Sequence, residues 1–187
     1  CSGNSITTKN KIAALKRGDF IEASLVMATL DTFTILVDSR EHDTEKLHQR
    51  IASFGCSVIK TKLDFGDYSA QVTLPSGVIY NLSDEVCIER KYSLDELANC
   101  YATSRERFKR EFERAKAKDA KVYILIEQAT WEKAYKGYYR SKMKPQALVA
   151  SMTTWMARYD TPILMCTSGK LIYDVLYREM KEALIAL

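Results

Sequence analysis

The chain has 187 residues, 47% of them hydrophobic and 28% charged, with 28 Lys+Arg against 24 Asp+Glu for a formal net charge of +4. That length suits one compact α/β domain and is short for two, and with 7 Gly, 3 Pro and no repeat of fixed period the composition is not collagenous, solenoid-like or mainly disordered. No run approaches the roughly 18 apolar residues that span a bilayer, so no membrane partner is expected, and five scattered cysteines without a CxxC pair argue against a zinc knuckle or disulfide framework and for a reducing compartment.

Residues 1–32 read as an N-terminal helical appendage, partly flexible. A polar, frayed start leads into two short helices broken at Gly18, the second opened by Asp19 with Glu22 at capping-box spacing and carrying Phe20, Ile21, Leu25 and Leu30. Phe33 to Val37 is a β-branched and aromatic run ending in Asp38-Ser39-Arg40-Glu41, as in a buried strand that delivers polar residues to its C-terminal edge. Leu47, Ile51 and Phe54 recur at helical spacing, and Gly55 closes that helix.

Strands are predicted over 57–63, 68–74, 78–82 and 86–91, the second and third joined by a turn at Pro75-Ser76-Gly77. One long amphipathic helix is predicted from about Leu94 to Lys118, burying Leu97, Tyr101, Phe108 and Phe112 and turning a dense charged face to solvent. Residues 122–127 carry the apolar run of a strand covered on both faces. Residues 131–139 read as helix plus loop, Pro145 opens a helix to about Tyr159, residues 162–166 form a last strand, and a final helix runs from Lys170 to Leu187. The sum is an α/β fold, a mixed central sheet flanked by helices.

Acidic residues collect at or beside predicted strand ends: Asp38, Glu41, Asp67, Glu89 and Asp95. Glu89 and Lys91, two apart in a strand, project from one face, whereas Arg90 faces away with its carbonyl beside the same pocket. The carboxylates of Asp67 and Glu89 with the Arg90 peptide oxygen make an all-oxygen set suited to Mg²⁺ or Mn²⁺. Such an ion lowers the pKa of a bound water and neutralises charge on a phosphoryl group, which phosphodiester hydrolysis requires. Lys91 would orient or deprotonate the attacking water, or stabilise the transition state as a cation. Asp38 and Arg40 also read as a structural ion pair, and Asp95 as a cap on the helix that follows.

Glu89-Arg90-Lys91 fits the core of the nuclease superfamily whose motif is written PD-(D/E)XK. In order, the chain reads Val37-Asp38-Ser39-Arg40-Glu41, Gly66-Asp67-Tyr68, then Glu89-Arg90-Lys91 with three residues before Asp95. That series resembles the nuclease domain of the XPF-type structure-specific endonucleases, whose pattern is V-D-x-R-E, G-D-Y/F and E-R-K-x3-D. Arg107-Phe108 with Glu111 is similar to the family's helix after the catalytic strand, and Gln146 through Pro162 to its late helix and final strand. The resemblance covers residues 33–187, which are therefore expected to form an XPF-type nuclease domain with a restriction-endonuclease-like fold.

The resemblance implies a Mg²⁺- or Mn²⁺-dependent endodeoxyribonuclease acting on DNA at branched or single-strand/double-strand junctions and leaving 5′-phosphate and 3′-hydroxyl ends. Asp67 and Glu89 would be metal ligands and Lys91 the catalytic lysine. Asp38 and Asp95 would be supporting acids, while Arg40, Glu41 and Arg90 would hold the site or the phosphate. The helix-hairpin-helix tandem and helicase domain of larger members are not in this sequence, and the shorter layout is similar to bacterial and phage members, which implies action in the cytoplasm of a bacterial or phage-infected cell.

Lys136, Arg140, Lys142 and Lys144, interleaved with Trp131, Tyr135, Tyr138 and Tyr139, read as a surface for DNA phosphates and stacked bases or as solvated loop charge. Ala147, Leu148, Ser151, Met152, Trp155 and Met156 form an apolar stripe near the last helix, accounted for by core burial or, as the resemblance implies, by a homodimer through the late helices. The alternative function is a non-catalytic DNA-junction-binding module or nuclease partner subunit, against which the intact Asp67, Glu89 and Lys91 weigh. A nucleotide-binding α/β protein is disfavoured, since no glycine-rich phosphate loop is found.

Overall fold

A computed structural model describes residues 23–166 and 169–187. Residues 23–30 are helical (α1), followed by β1 (Thr34–Asp38), α2 (Glu45–Phe54), β2 (Ser57–Thr61), β3 (Tyr68–Thr73), β4 (Ile79–Asn81) and β5 (Val86–Lys91). Then come α3 (Leu94–Ala102), α4 (Arg105–Ala117), β6 (Lys121–Glu127), α5 (Trp131–Lys136), α6 (Pro145–Tyr159), β7 (Ile163–Cys166) and α7 (Leu171–Ala186). The predicted strands are all present, and the helix over Leu47 to Phe54 starts from Thr44, whose side chain accepts the Leu47 N–H.

The strands form one seven-stranded sheet in the order β2-β1-β3-β5-β6-β7, with β4 paired to β3. Pairing is mixed: β1 runs parallel to β2 and antiparallel to β3, β3 is antiparallel to β4 and β5, and β5-β6-β7 are parallel. The parallel half explains the apolar run at β6, because a strand covered on both faces has no wet side.

Two hydrophobic clusters lie on the two faces. One takes Leu47 and Phe54 of α2, Ile172, Leu176 and Met180 of α7, and Tyr123 and Leu125 of β6. The other takes the alternate β6 residues Val122, Ile124 and Ile126 with Leu97 of α3, Phe112 of α4 and Trp155 of α6. The period-2 pleat thus sends successive residues of one strand into different cores. In β5 it sends Val86 and Ile88 to the first cluster and Cys87 to the second, which fixes the faces of Glu89, Arg90 and Lys91.

Three expectations need correction or fall outside the described residues. The single helix from Leu94 to Lys118 is two, α3 and α4, broken at Thr103-Ser104, where the N–H groups of both residues share the Asn99 carbonyl. Thr and Ser are weak helix formers, and the apolar positions keep phase across the break, which hides it from the sequence pattern. In α1 Leu30 is packed, but Leu25 is 52% exposed and the inward position beside it is taken by Val26. The predicted break at Gly18 and the helix start at Asp19 lie outside the described residues. Among these no helix is long and apolar enough to cross a membrane.

The apolar stripe of α6 is largely internal. Leu148, Ser151, Met152 and Trp155 are buried, and Trp155 packs against Tyr101, Phe108, Phe112 and Tyr159. Core burial accounts for most of the pattern, leaving Ala147 and Met156 exposed.

Candidate active site

The C-terminal end of β1 delivers Asp38 into a buried position. Its carboxylate accepts the Arg40 backbone N–H at 2.7 Å and Arg40 Nε at 2.9 Å on one oxygen, and Arg40 Nη2 and the Leu63 N–H on the other. Arg40 Nη2 also donates to the Leu63 carbonyl at 2.9 Å. Burial acts to raise the Asp38 pKa, but these hydrogen bonds and the guanidinium charge outweigh it and hold the carboxyl below its ordinary range. The pair staples the exit of β1 to the chain after β2, and both residues line the same cleft as the acids below.

Before β3 the chain turns at Gly66, whose φ of +68° and close approach to β5 leave room for hydrogen alone; a Cβ there would lie 2.7 Å from Cys87 Cβ. The Gly66 N–H donates to Glu111 Oε1 at 2.8 Å. Asp67 is then locked through its main chain, its N–H on the Ile88 carbonyl and its carbonyl receiving the Asp38 N–H, both at 2.8 Å. Its Oδ2 accepts the Arg90 backbone N–H at 2.7 Å.

Glu89 and Lys91 leave β5 on one face, as the pleat requires, and are ion-paired with each other in a buried setting. Burial pushes the Asp67 carboxyl up to about 7, with Lys91 lowering it and Glu41 and Glu111 raising it. Glu89 is raised well above its ordinary value, first by burial and then by the Asp67 charge. Burial disfavours the Lys91 ammonium, yet Glu89 and Asp67 more than offset it and keep the lysine cationic. Two raised carboxyls, one of them raised further by the charge of the other, sharing one ammonium, form a site short of positive charge.

These groups line a cleft of about 500 Å³ that includes Asp38, Arg40, Glu41, Asp67, Glu89 and Lys91. α4 contributes Arg107, Arg110, Arg114 and Glu111 to the same cleft. That charged face is exposed as expected, and its three arginines also line the cleft; the signal in the sequence is their i, i+3, i+7 spacing, which puts them on one side of a helix. Glu111, some 45 residues from its Gly66 partner, is legible in sequence as part of the helix and not as part of the site.

On the other face of β5, the Arg90 guanidinium makes two hydrogen bonds to Glu127, at 2.9 and 2.5 Å. Glu127 also meets Arg50 Nε at 3.5 Å, Arg50 Nη1 donates to the Tyr68 hydroxyl at 2.9 Å, and that hydroxyl donates to Glu41 at 3.4 Å. The sequence does not single out Arg50, the Tyr68 hydroxyl or Glu127, since nothing local in an α2 arginine or the end of β6 signals such a partner. The Arg90 side chain faces away as expected, while its main chain meets the site, the N–H donating to Asp67.

Asp95 is not in the cleft. It stands in the first turn of α3, capped by Ser93, and its Oδ1 accepts the N–H groups of Arg140 and Ser141 at 2.6 and 2.7 Å. Its reading as a supporting acid is therefore corrected: the helix turns its carboxylate toward the α5–α6 loop. Arg140 and Lys142 line a separate groove with Asp95, and Lys144 stands at the N-terminal cap position of α6.

Among the described residues no three His, Cys, Asp or Glu side chains form a group able to hold a metal ion. Asp67 and Glu89 are nevertheless hard oxygen donors with a deficit of positive charge, and Mg²⁺ is commonly held by one or two carboxylates plus water and substrate phosphate. The residues present fit such an ion as a two-carboxylate site.

Residues 37–178 match the model of the ERCC4 domain family. Among solved structures, XPF from Aeropyrum pernix shares 21% identity with a TM-score of 0.55, over 78% of this chain and 60% of that one. A second structure of XPF from Aeropyrum pernix, in complex with DNA, shares 22% identity with a TM-score of 0.54, over 80% and 66% respectively. The chain thus spans less than two thirds of each, and the likeness is one of fold. Comparison with curated proteins finds no match. Since the family match runs over most of the chain and takes in every motif from Val37 through Lys91, the protein belongs to the ERCC4 domain family.

Proposed function

We propose that the domain is a divalent-metal-dependent DNA endonuclease that hydrolyses phosphodiester bonds at branched or single-strand/double-strand junctions. The observation that carries the reading is the convergence of Asp67, Glu89 and Lys91 in one cleft that three arginines of α4 also line. The structure of XPF from Aeropyrum pernix in complex with DNA supports DNA as the substrate class.

In this reading Asp67 and Glu89 hold Mg²⁺ or Mn²⁺, which supplies charge neutralisation at the phosphoryl group and a more acidic water. Arg107 and Arg110 clamp the phosphates beside the scissile one, a sequence-independent role that suits recognition of shape over base identity. Lys91, kept cationic beside Glu89, would donate to the phosphoryl oxygen that gains charge. Arg40, tied to Asp38, presents its remaining N–H groups along the same wall. Arg90 holds Asp67 through its N–H and is fixed in turn by Glu127.

The test is cleavage of flap, fork and duplex DNA with and without metal. Metal-dependent cutting of a branched substrate, abolished in Glu89→Ala and Lys91→Ala, is the expected result. Cutting that survives either variant overturns the assignment, and metal-independent binding without cutting establishes the non-catalytic junction binder instead. Pairing of two copies through the late helices belongs to the same proposal, supported by exposed Met156, Ile185 and Leu187. A monomeric mass by light scattering at micromolar concentration rules it out.

A further inference from the structure

A groove of about 800 Å³ lies between α3 and the α5–α6 loop, lined by Asp95, Asn99, Thr103, Arg140, Ser141 and Lys142. It is separate from the acidic cleft, yet the two approach each other at the helix break: Thr103 lines the groove and Ser104 the cleft. A polyanion leaving the cleft over that break would enter the groove beside Arg140 and Lys142.

The loop carrying those cations is organised by one side chain. Asp95 accepts two successive backbone N–H groups, of Arg140 and Ser141, on a single oxygen. Its other oxygen stands 3.7 Å from the Arg140 guanidinium, which is itself 96% exposed. The loop is braced further by the Tyr139 hydroxyl on the Met143 carbonyl at 2.8 Å and the Met143 N–H on Ser141 Oγ at 3.3 Å. A carboxylate answered by two N–H groups and a guanidinium presents little net negative charge to a passing phosphate, so Asp95 fixes the loop without making the groove acidic.

We infer that the groove between α3 and the α5–α6 loop binds the phosphate backbone of the nucleic-acid strand that leaves the acidic cleft, and that Asp95 is the positioning residue that holds Arg140 and Lys142 in place for it. This rests on the nuclease reading for what lies in the cleft, but the binding itself needs no chemistry. The reason is geometric: Asp95 serves the loop through an acceptor oxygen, whereas a supporting acid at the metal would serve through its charge. Asn keeps the acceptor and discards the charge, so Asp95→Asn and Asp95→Ala separate the two roles.

The experiment measures anisotropy of a fluorescein-labelled forked DNA in EDTA over a range of salt, then cleavage with metal. Arg140→Ala/Lys142→Ala is expected to weaken binding five- to tenfold and make the salt slope shallower by about two, one for each phosphate that the two cations neutralise. Asp95→Ala is expected to weaken binding severalfold and raise KM with kcat unchanged. Asp95→Asn is expected to stay within twofold of the parent in both. Unchanged binding and salt slope in the double variant overturns the groove assignment, and it does so even if Asp95→Ala fails to fold, since Arg140 and Lys142 are exposed. Equal loss of kcat in Asp95→Asn and Asp95→Ala returns Asp95 to the metal chemistry. Binding as expected with no cleavage of any substrate leaves the groove standing and removes the nuclease reading.

Discussion

The Asp67 carboxylate accepts the backbone N–H of Arg90 at 2.7 Å, so the Gly-Asp-Tyr and Glu-Arg-Lys motifs are joined by a side chain of one and the main chain of the other. Moving β5 moves Asp67, and the device that fixes β5 at this point is the Arg90–Glu127 clamp on the opposite face.

Glu127→Ala leaves Arg90 and Arg50 as buried guanidinium groups, only 12% and 8% exposed, without their shared carboxylate. The expected loss is about 3–5 kcal/mol by chemical denaturation, and clearly less in Glu127→Gln, which keeps acceptor capacity. A loss under about 1 kcal/mol in the alanine variant would show that the clamp is relieved by water.

Acid sensitivity follows from Asp38. Its folded pKa lies below the ordinary 3.8, so the folded state binds fewer protons than the unfolded one at acid pH. Its contribution is complete above the unfolded value and is lost as pH falls through the depressed folded value. Melting temperature should drop below about pH 4 in the parent, and Asp38→Asn should start lower at pH 7 and show a flatter acid limb. Arg40→Lys should not rescue, because a single ammonium cannot reproduce the fork on Asp38 together with the bond to the Leu63 carbonyl.

Gly66 and Gly55 make a matched pair, with φ of +68° and +69°, but a Cβ at Gly55 would meet nothing within 4 Å. Gly55→Ala should therefore show the left-handed penalty alone, about 1–2 kcal/mol. Gly66→Ala should lose more and also reduce cleavage, since the displaced segment carries Asp67. Equal losses, read by thermal denaturation, would mean that Cys87 yields freely.

A divalent ion should stabilise the domain by relieving repulsion between Asp67 and Glu89. At ten times its Kd the gain is about 1.4 kcal/mol, a rise of a few degrees in melting temperature. The rise should grow as pH increases through about 7, where Asp67 gives up its proton, and vanish in Asp67→Asn or on adding EDTA. A rise of the same size in Asp67→Asn would place the ion elsewhere.

The strands and their acidic tips are legible in the sequence because their signals are local: a β-branched run stops at Asp38, a Gly-Asp step precedes Tyr68, and Glu89 and Lys91 are two apart. The bond from the Gly66 N–H to Glu111 is not legible, nor is Arg50 on Tyr68, because each joins residues that meet only after the sheet has formed. Asp95 is misplaced by sequence for a related reason. Its short distance along the chain from Lys91 puts it near the site, but one turn of α3 carries its carboxylate around to another loop.

The pleat of β5 anchors the two faces of the Glu-Arg-Lys motif in different interiors. Lys91 and Glu89 rest on the layer made by α3, α4 and α6, while Arg90 and its clamp rest on the layer made by α2 and α7. Because the three residues share one strand, loosening α7 alone would reach the acid, the clamp and the lysine together, from the side of the sheet that the cleft does not open on.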